Sequence, residues 1–448
     1  MNGGSNVLTG PATRPVRLWA MLLPTAVFFV LGHDLMRSTY ENYGLTAETM
    51  AEDVLTGTLL RRVMLITLGA FGLALLYQDR EARAHWSGGL GWAMVFLVTW
   101  AFASLTWSSN PVLTFRRLPV LGAMCIAALA LGKRSPPQAI VRWILVSASL
   151  CVALGLTAEV YLGTFTPGSA AYRFSGTLHP NDQGQFCALL VLAGLTLRVG
   201  KRVSSVLKKL ALAAVFGLLL LTKSRTAILG FFVAVSTFLW LPVARRHKNL
   251  LMATPFLIVA CFSLAFLAQA FHPFPLSIID FGREQGELDT LTGRIPLWEH
   301  LLGYVTQRPL LGSGYGAFWT ADQLVEVSNK MDWMVGQAHS DYLEVALHLG
   351  VVGLFAYLLV LVGGLCRAVS LTMRSDDRFS LFAAAVLTFW IVHGFSESQV
   401  FSGSFPTFVY MTLLVSLSQM SLPERAAAPA SRPADLRESL TYAGLPRG

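Results

Sequence analysis

Residues 340–366 read SDYLEVALHLGVVGLFAYLLVLVGGLC, and from Val351 onward this run contains no charged side chain. A helix of about 20 apolar residues is long enough to cross the hydrocarbon core of a bilayer. Runs of similar length and composition recur along the whole chain. Because a membrane β-barrel would instead show short segments of alternating polarity, the pattern predicts an all-α polytopic membrane protein.

The composition agrees with this fold class. Of the 448 residues, 54% are hydrophobic and 13% are charged, whereas a soluble protein has about 25% charged residues. We predict about twelve transmembrane helices. Their predicted positions are residues 17–36, 58–77, 90–108, 112–132, 139–162, 181–198, 205–222, 225–242, 250–271, 340–366, 379–397 and 403–421.

The distribution of Lys and Arg predicts the orientation of these spans. Clusters such as those in residues 198–209 and 245–248 indicate cytoplasmic segments, which places both termini in the cytoplasm and the long polar segment in the periplasm. The predicted divisions are transmembrane helices 1–9 (residues 1–271), a periplasmic loop (272–338), transmembrane helices 10–12 (339–422) and a disordered cytoplasmic tail (423–448). Within the loop we expect short helices, one of them at residues 295–304, because Gly293 precedes it and Pro296 lies near its first turn.

Several classes of partner are disfavoured by where particular residues lie. The net charge of +9 sits in short loops between spans, so we expect no nucleic-acid partner. The five cysteines all lie in apolar runs without a Cys-x-x-Cys pair, which argues against a disulfide framework or a zinc site. The segments predicted to face outward contain no close His/Asp/Glu cluster, so we expect neither a metal nor a cofactor.

The basic residues predicted to face outward stand where even-numbered spans begin. A helix N-terminus has free N–H groups and a partial positive charge, so it can bind an anion. Arginines beside such termini would hold a phosphate or diphosphate, since a guanidinium can bind two phosphate oxygens at once. Arg116 and Arg117, near the start of the fourth span, could act in this way or could simply extend to the membrane interface.

Three polar motifs mark the starts of later spans. They are SGTLHPNDQG at residues 175–184, TKSRT at 222–226 and QAHSDYLE at 337–344. Between the last two lie Thr292-Gly293-Arg294 and RPLLGSGYGAF at 308–318. Helix capping alone could explain parts of each motif.

Taken in this order, the motifs resemble those of the bacterial O-antigen ligase/polymerase family, and the chain looks most like an O-antigen ligase. The resemblance covers about residues 175–355 in its motifs, and the predicted topology extends it over most of the chain. One departure is Ser340, where members of the family often have Asn after the loop histidine.

The resemblance implies roles for individual residues. His339 would be the general base, and Arg225 and Arg294 would bind the diphosphate and stabilise the leaving group. Further candidates for binding donor or acceptor are Arg116, Arg117, His179, Asn181, Lys223, Ser224, Tyr342 and His393. Glu397 follows His393 by one helical turn, and these two residues could be functional or could form a structural pair.

The function implied by the resemblance is glycan transfer without a metal. The donor would be O-antigen polysaccharide on undecaprenyl diphosphate, and the acceptor would be lipid A–core at the periplasmic face of the bacterial inner membrane. Direct displacement would invert the anomeric centre. An O-antigen polymerase or another transferase of lipid-diphosphate-linked oligosaccharides is the alternative. A transporter of lipid-linked glycans is less favoured, because the sequence has no internal repeat.

Overall fold

The computed structural model describes residue 16 and residues 18–41, 59–78, 88–169, 172–198, 202–247 and 293–421. Within these ranges the regular secondary structure is helical. The α-helices are α1 (Leu18–Glu41), α2 (Leu59–Tyr77), α3 (Gly89–Ala103), α4 (Pro111–Arg134), α5 (Pro137–Tyr161), α6 (Pro180–Thr196), α7 (Arg202–Leu221), α8 (Arg225–Arg246), α9 (Arg294–Gln307), α10 (Ala321–Met331), α11 (Asp341–Arg374), α12 (Arg378–His393) and α13 (Phe405–Gln419).

Several of these helices have the lengths and compositions of membrane spans. Six segments of the described chain are long and apolar enough to cross a bilayer: Gly89–Thr106, Pro111–Arg134, Pro137–Tyr161, Ser204–Leu221, Arg225–Arg246 and Asp341–Arg374. The chain is therefore a multi-pass membrane protein whose described part is helical. The predicted span at 250–271, the first part of the predicted loop and the tail from residue 423 lie outside the described residues, and the total of twelve spans stays a prediction.

Side chains and prolines account for where several helices begin. The Asn110 side chain accepts a hydrogen bond from the Leu113 N–H at 3.0 Å, and Pro111 occupies the first turn of α4, where its missing N–H costs nothing. Asp377 caps α12 by accepting from two backbone N–H groups. The predicted helix at 295–304 is present as α9, and α10 is a second short helix in this segment, at a position that the sequence did not indicate.

Helix α12 lies at the centre of the bundle, because every residue from Phe379 to Trp390 is buried. It packs against α8, where Gly230 faces the Phe389 ring closely enough that an added Cβ would lie 3.1 Å from it. Between α2 and α4, a Cβ on Gly72 would lie 2.7 Å from the backbone at Ala127. Small residues let membrane helices approach each other in this way.

The predicted span at 379–397 is wrong at its end, because α12 stops at His393. Residues 394–404 turn back instead, and the start of α11 holds them there. The Asp341 carboxylate accepts hydrogen bonds from the Gln399 N–H at 2.6 Å and the Val400 N–H at 2.8 Å, while the Asp341 N–H donates to Gly394. Glu397 therefore lies in a turn and not on a helix.

The predicted continuous span at 340–366 is also wrong, because α11 breaks at Gly350, where φ is 66° and ψ is −170°. The loop before α10 supplies the hydrogen bonds that the break removes. The Gly314 N–H donates to the His348 carbonyl at 2.8 Å, and the Val351 N–H donates to Pro309 at 2.8 Å. The RPLLGSG motif thus completes a broken helix, which satisfies backbone groups that would be costly to leave unpaired in a membrane.

We expect Gly350→Ala to destabilise the protein by at least about 2 kcal/mol, because alanine is disfavoured at positive φ. In addition, its Cβ would stand 2.2 Å from the Leu310 carbonyl oxygen. Thermal unfolding of the purified protein in detergent measures the effect. Gly363→Ala on the same helix is the control, since its Cβ would meet Leu90 at an ordinary 3.7 Å. Equal unfolding temperatures for the two variants would contradict the account of the break.

Candidate functional site

Glu397 is the residue around which polar side chains from distant parts of the chain converge. It lies in the turn between α12 and α13, and it is only 4% exposed. Its Oε1 atom accepts a hydrogen bond from Asn181 Nδ2 of α6 at 2.6 Å and another from Arg294 Nη2 of α9, also at 2.6 Å. Its Oε2 atom lies 3.7 Å from His339 Nδ1, just before α11. One carboxylate therefore joins three separate segments.

The electrostatic environment keeps this carboxylate ionised. Burial by itself raises the pKa of Glu397, since it disfavours the charged form. The His339 imidazole and the Arg294 guanidinium outweigh that effect, and together with His393 they lower the pKa of Glu397 to about 2. The site thus contains a permanent negative charge that organises the positive groups around it.

Arg294 is held at the first turn of α9. Gly293 precedes it with φ of 78°, a left-handed conformation that glycine adopts without strain. Besides its bond to Glu397, Arg294 donates through Nη1 to the Ser396 carbonyl. A guanidinium has five N–H groups in a fixed fork. Arg294 can therefore stay anchored to this turn and still offer donors to an anionic ligand.

His339 has an unusual backbone conformation for a residue with a side chain. Its φ is 49°, in the left-handed region that non-glycine residues seldom occupy. Such strain concentrates at functional sites, where the surrounding structure enforces it. Here the next residue, Ser340, donates its N–H to Ser398 Oγ at 2.9 Å, and the Trp333 ring lies 5.5 Å from the imidazole. These contacts direct His339 Nδ1 towards Glu397.

A chain of hydrogen bonds links this group to the turn before α8. Asn181 Oδ1 accepts from Arg173 Nη2 at 3.1 Å, and Arg173 Nε donates to the Thr222 carbonyl at 3.0 Å. The TKSRT motif and the HPND motif therefore lie at the same end of the bundle as Glu397. Arg173 was not among the candidates from sequence, because nothing local to it indicates this bridging position.

His179 caps α6 and lies within electrostatic reach of the same group. Its Nδ1 accepts from the Asn181 N–H at 3.3 Å. Burial, followed by smaller effects that include repulsion from Arg173, lowers the pKa of His179 below its usual value of 6.5. A neutral imidazole at pH 7 agrees with Nδ1 acting as an acceptor.

His393 and Arg225 stand beside this group at the same level of the bundle. His393 ends α12, and its ring stacks on Phe389 at 5.3 Å. Since Gly230 of α8 packs against Phe389, the first turn of α8, which starts with Arg225, lies near the level of His393. The described residues give no direct hydrogen bond between Arg225 and Glu397.

Other candidates from the sequence have contacts elsewhere. Arg117 donates to the Gly316 carbonyl and so binds the loop before α10, while Arg116 on the same helix is exposed. Ser224 caps α8 by accepting from the Ala227 N–H, and Lys223 before it has φ of 49°. Tyr342 donates to the Ile391 carbonyl at 2.8 Å. The structure does not bring these five residues into the Glu397 group.

Part of the first motif also has a structural explanation. Glu159, near the end of α5, accepts the N–H groups of Ser175 and Gly176 at 2.9 and 2.6 Å. Gly176 has φ of 59° and packs against Gly155, where an added Cβ would lie 2.7 Å away. These contacts fix the segment that leads from Ser175 to His179 and Asn181 at the start of α6.

Glu397 is the most important residue of this site that the sequence did not indicate as a catalytic or binding candidate. The sequence marked it only as an acid within one turn of His393, because its three partners lie 58 to 216 positions away. As for metal binding, the described part of the chain has no group of three or more His, Cys, Asp or Glu side chains that could hold an ion. The expectation of a metal-independent reaction stays a prediction.

The fold and this buried polar group define a multi-pass membrane protein with a polar site at one end of its helices. Comparison with known proteins indicates which family of membrane proteins this chain resembles. Residues 210–358 match the O-antigen ligase family model. The chain is also 25% identical over 398 residues to the exopolysaccharide production protein ExoQ of Rhizobium meliloti, covering 81% of this chain and 84% of that protein. These matches confirm the resemblance to the O-antigen ligase/polymerase family and support a glycan-processing function.

We expect Glu397→Gln to lower stability at pH 7 by about 3 kcal/mol, because an amide cannot compensate the buried positive groups. The pKa of Glu397 is lowered from 4.5 to about 2. Its ionised form therefore contributes stability that is complete above pH 4.5 and is lost as the pH falls towards 2. Thermal unfolding in detergent between pH 2 and 7 should show the difference between the two proteins shrinking over this window.

The control for this experiment is Glu299→Gln, which changes an exposed carboxylate on α9. This variant should unfold like the wild type at each pH. A stability difference for Glu397→Gln that stays constant from pH 7 to pH 2 would contradict the assignment of a buried, ionised carboxylate.

Proposed function

We propose that this protein is an O-antigen ligase, a metal-independent inverting glycosyltransferase that moves O-antigen polysaccharide from undecaprenyl diphosphate to lipid A–core. The observation that carries the proposal is the convergence of Arg294 and His339 on Glu397. Both residues also lie inside the segment that matches the O-antigen ligase family model. A cation suited to a diphosphate thus stands beside a group suited to proton transfer.

The donor would bind through its diphosphate. Arg294 begins α9 and Arg225 begins α8, so each guanidinium is accompanied by the partial positive charge of a helix N-terminus. As the glycosidic bond breaks, negative charge grows on the departing undecaprenyl diphosphate. N–H groups that are already in place stabilise this growing charge more than they stabilise the intact glycan substrate. That difference lowers the activation barrier of the transfer.

The acceptor would be a sugar hydroxyl activated by His339. The hydroxyl oxygen forms a bond to the anomeric carbon while the bond from that carbon to the diphosphate oxygen breaks, so undecaprenyl diphosphate leaves with the electron pair. Because the attack comes from the opposite side, the anomeric configuration inverts. The hydroxyl proton passes to His339 Nε2, since Nδ1 faces Glu397.

Glu397 acts in this scheme as a positioning residue. Its Oε2 lies 3.7 Å from His339 Nδ1, where it favours the imidazolium that forms when His339 accepts a proton. Its Oε1 fixes Arg294 at 2.6 Å. One carboxylate would therefore set the spacing between the proton acceptor and the diphosphate-binding cation. His179 and Asn181 complete the wall of this site.

Under the predicted twelve-span topology, the site would lie at the periplasmic face of the bacterial inner membrane. In this arrangement α6, α8 and α11 begin at the outer surface, and residues 272–338 form the periplasmic loop, with α9 and α10 inside it. Residues 1–271 and 339–422 would contain the two sets of transmembrane helices, and 423–448 would be the cytoplasmic tail. Arg116, Arg117, Lys223, Ser224, Tyr342 and His393 remain proposed contacts of donor or acceptor.

A second candidate is a polymerase that extends a glycan on the same lipid carrier. The similarity to an exopolysaccharide production protein over 81% of this chain favours it, because that name concerns a polysaccharide and not a lipid A–core acceptor. Both activities share the donor chemistry of Arg294 and the proton transfer of His339. They differ only in the hydroxyl that attacks.

Reconstitution of the purified protein in vesicles with undecaprenyl diphosphate-linked glycan and lipid A–core distinguishes the ligase from the polymerase. We expect transfer of glycan onto lipid A–core, detected as a shift in the mass of the acceptor, with no change after EDTA treatment. Longer glycans on the carrier without any transfer to lipid A–core would establish the polymerase. Loss of activity with EDTA would overturn the metal-independent mechanism.

The same assay tests whether His339 accepts the proton and whether Arg294 binds the diphosphate. His339→Asn should lower kcat by roughly 10²–10⁴-fold with little change in the KM for the donor, because asparagine tolerates the positive φ but cannot accept the proton. Arg294→Lys keeps the charge but loses the fork, so it should raise the KM for the donor. If His339→Asn retains full kcat, the imidazole is not the general base.

A further inference from the structure

A groove lies between α5, α6 and α7, at the end of the bundle opposite to Glu397. Its volume is about 1020 Å³, slightly above the roughly 300–1,000 Å³ typical of ligand pockets. Leu145 and Leu156 of α5 and Leu212, Val215 and Leu218 of α7 contribute to its walls. The groove is therefore apolar along most of its length.

One end of the groove is strongly basic. Arg142, Arg198, Lys208 and Arg378 line it together. Lys208 Nζ donates to the Leu197 carbonyl at 2.5 Å, and Arg378 Nη1 donates to the Thr196 carbonyl at 2.8 Å. These two cations converge on the C-terminus of α6, where the helix dipole favours positive charge. Each of them retains further N–H groups for an anion.

The acids at this end of the groove already have partners. Asp376 forms an ion pair with Arg245 at 3.0 Å. Asp377 caps α12, accepting from the Phe379 N–H at 3.3 Å and the Ser380 N–H at 2.9 Å. Among the residues described by the structure, no hydrogen bond or ion pair engages Arg142 or Arg198. The four cations therefore face the groove without full compensation.

We propose that this groove binds an anionic phospholipid, with its phosphate at the four basic side chains and an acyl chain along the walls formed by α5 and α7. Basic pockets between membrane helices are suited to anionic lipid headgroups. This site is separate from the proposed glycan-transfer site. Asn181 and Thr196 mark opposite ends of α6, and 15 residues of helix separate them by about 22 Å.

The apolar walls favour a lipid over a soluble phosphate compound. Both flanking helices also expose apolar side chains outside the groove, including Leu150 and Leu154 of α5 and Leu207 and Leu210 of α7. In a membrane protein such surface contacts acyl chains. Under the proposed orientation the basic end lies at the cytoplasmic leaflet, where anionic lipids attract basic side chains.

The test uses the full-length protein, purified and delipidated in detergent, with phosphatidylglycerol and phosphatidylcholine of identical acyl chains. Native mass spectrometry counts the bound lipid. We expect a retained phosphatidylglycerol molecule and much weaker retention of phosphatidylcholine. Equal retention of the two lipids, or retention of neither because a segment of this chain fills the groove, would overturn the proposal.

Variants of the basic end test the headgroup contact. The double variant Arg142→Gln with Arg198→Gln should weaken phosphatidylglycerol binding about 25-fold, since each basic side chain near an anionic headgroup contributes about fivefold. The matched control is Arg246→Gln with Arg374→Gln, which removes two exposed charges at the same end of the bundle but outside the groove. An equal loss in both double variants would mean that only general charge attraction acts.

Variants of the wall test the acyl-chain contact without changing any charge. Ala214 lines the groove, and its neighbour Ala213 is exposed but does not line it. Ala214→Trp should abolish retention of phosphatidylglycerol by filling the groove, whereas Ala213→Trp should leave it unchanged. Retention by Ala214→Trp at the wild-type level would exclude the groove as the binding site. Both variants should unfold at similar temperatures, which separates loss of binding from loss of fold.

Discussion

The buried charge of Glu397 is the constraint on which the candidate site depends. A carboxylate with 4% exposure is costly unless positive groups and hydrogen-bond donors surround it. Its compensation comes from Asn181, Arg294 and His339, which belong to three segments that are distant in sequence. Removing any one of them would leave part of the charge uncompensated. The turn between α12 and α13 therefore fixes the starts of α6, α9 and α11 relative to one another, and this arrangement brings a guanidinium and an imidazole to the same carboxylate.

The segment between α9 and α10 is attached to α11 at the break of that helix at Gly350. Residues 309–314 satisfy backbone groups on both sides of the break, so the loop before α10 is bound to a membrane helix by main-chain hydrogen bonds. Arg117 strengthens the attachment through the Gly316 carbonyl. The segment from α9 to α11 is consequently held at Arg294, at the break and at His339. This explains why glycines with positive φ recur at 312, 314 and 316, since a chain that enters a broken helix must turn sharply several times.

The sequence predicted what local patterns determine and missed what distant contacts determine. Apolar length located the helices, and Gly293 with Pro296 located α9, because helix entry depends on neighbouring residues. The break at Gly350 could not be predicted, since the carbonyl groups and N–H groups that replace its hydrogen bonds come from residues 309–314. The early end of α12 was missed because Asp341 captures the following turn from another helix. For the same reason Glu397 was ranked below His339 and Arg294, although all three meet. Ser224 is the opposite case, a residue predicted to bind substrate. Its capping bond to the Ala227 N–H accounts for its presence in the motif.

Helix α6 connects the two polar regions of the molecule through a single physical property. Its N-terminus carries His179 and Asn181 beside the proposed diphosphate site, where free N–H groups favour an anion. Its C-terminus presents carbonyl groups to Lys208 and Arg378, where the opposite end of the dipole favours cations. Between them, the residues from Gln183 to Gly194 are buried, so the helix is supported along its length by its neighbours. A lipid phosphate at the four cations would reduce their mutual repulsion and thereby favour the present position of the α6 C-terminus.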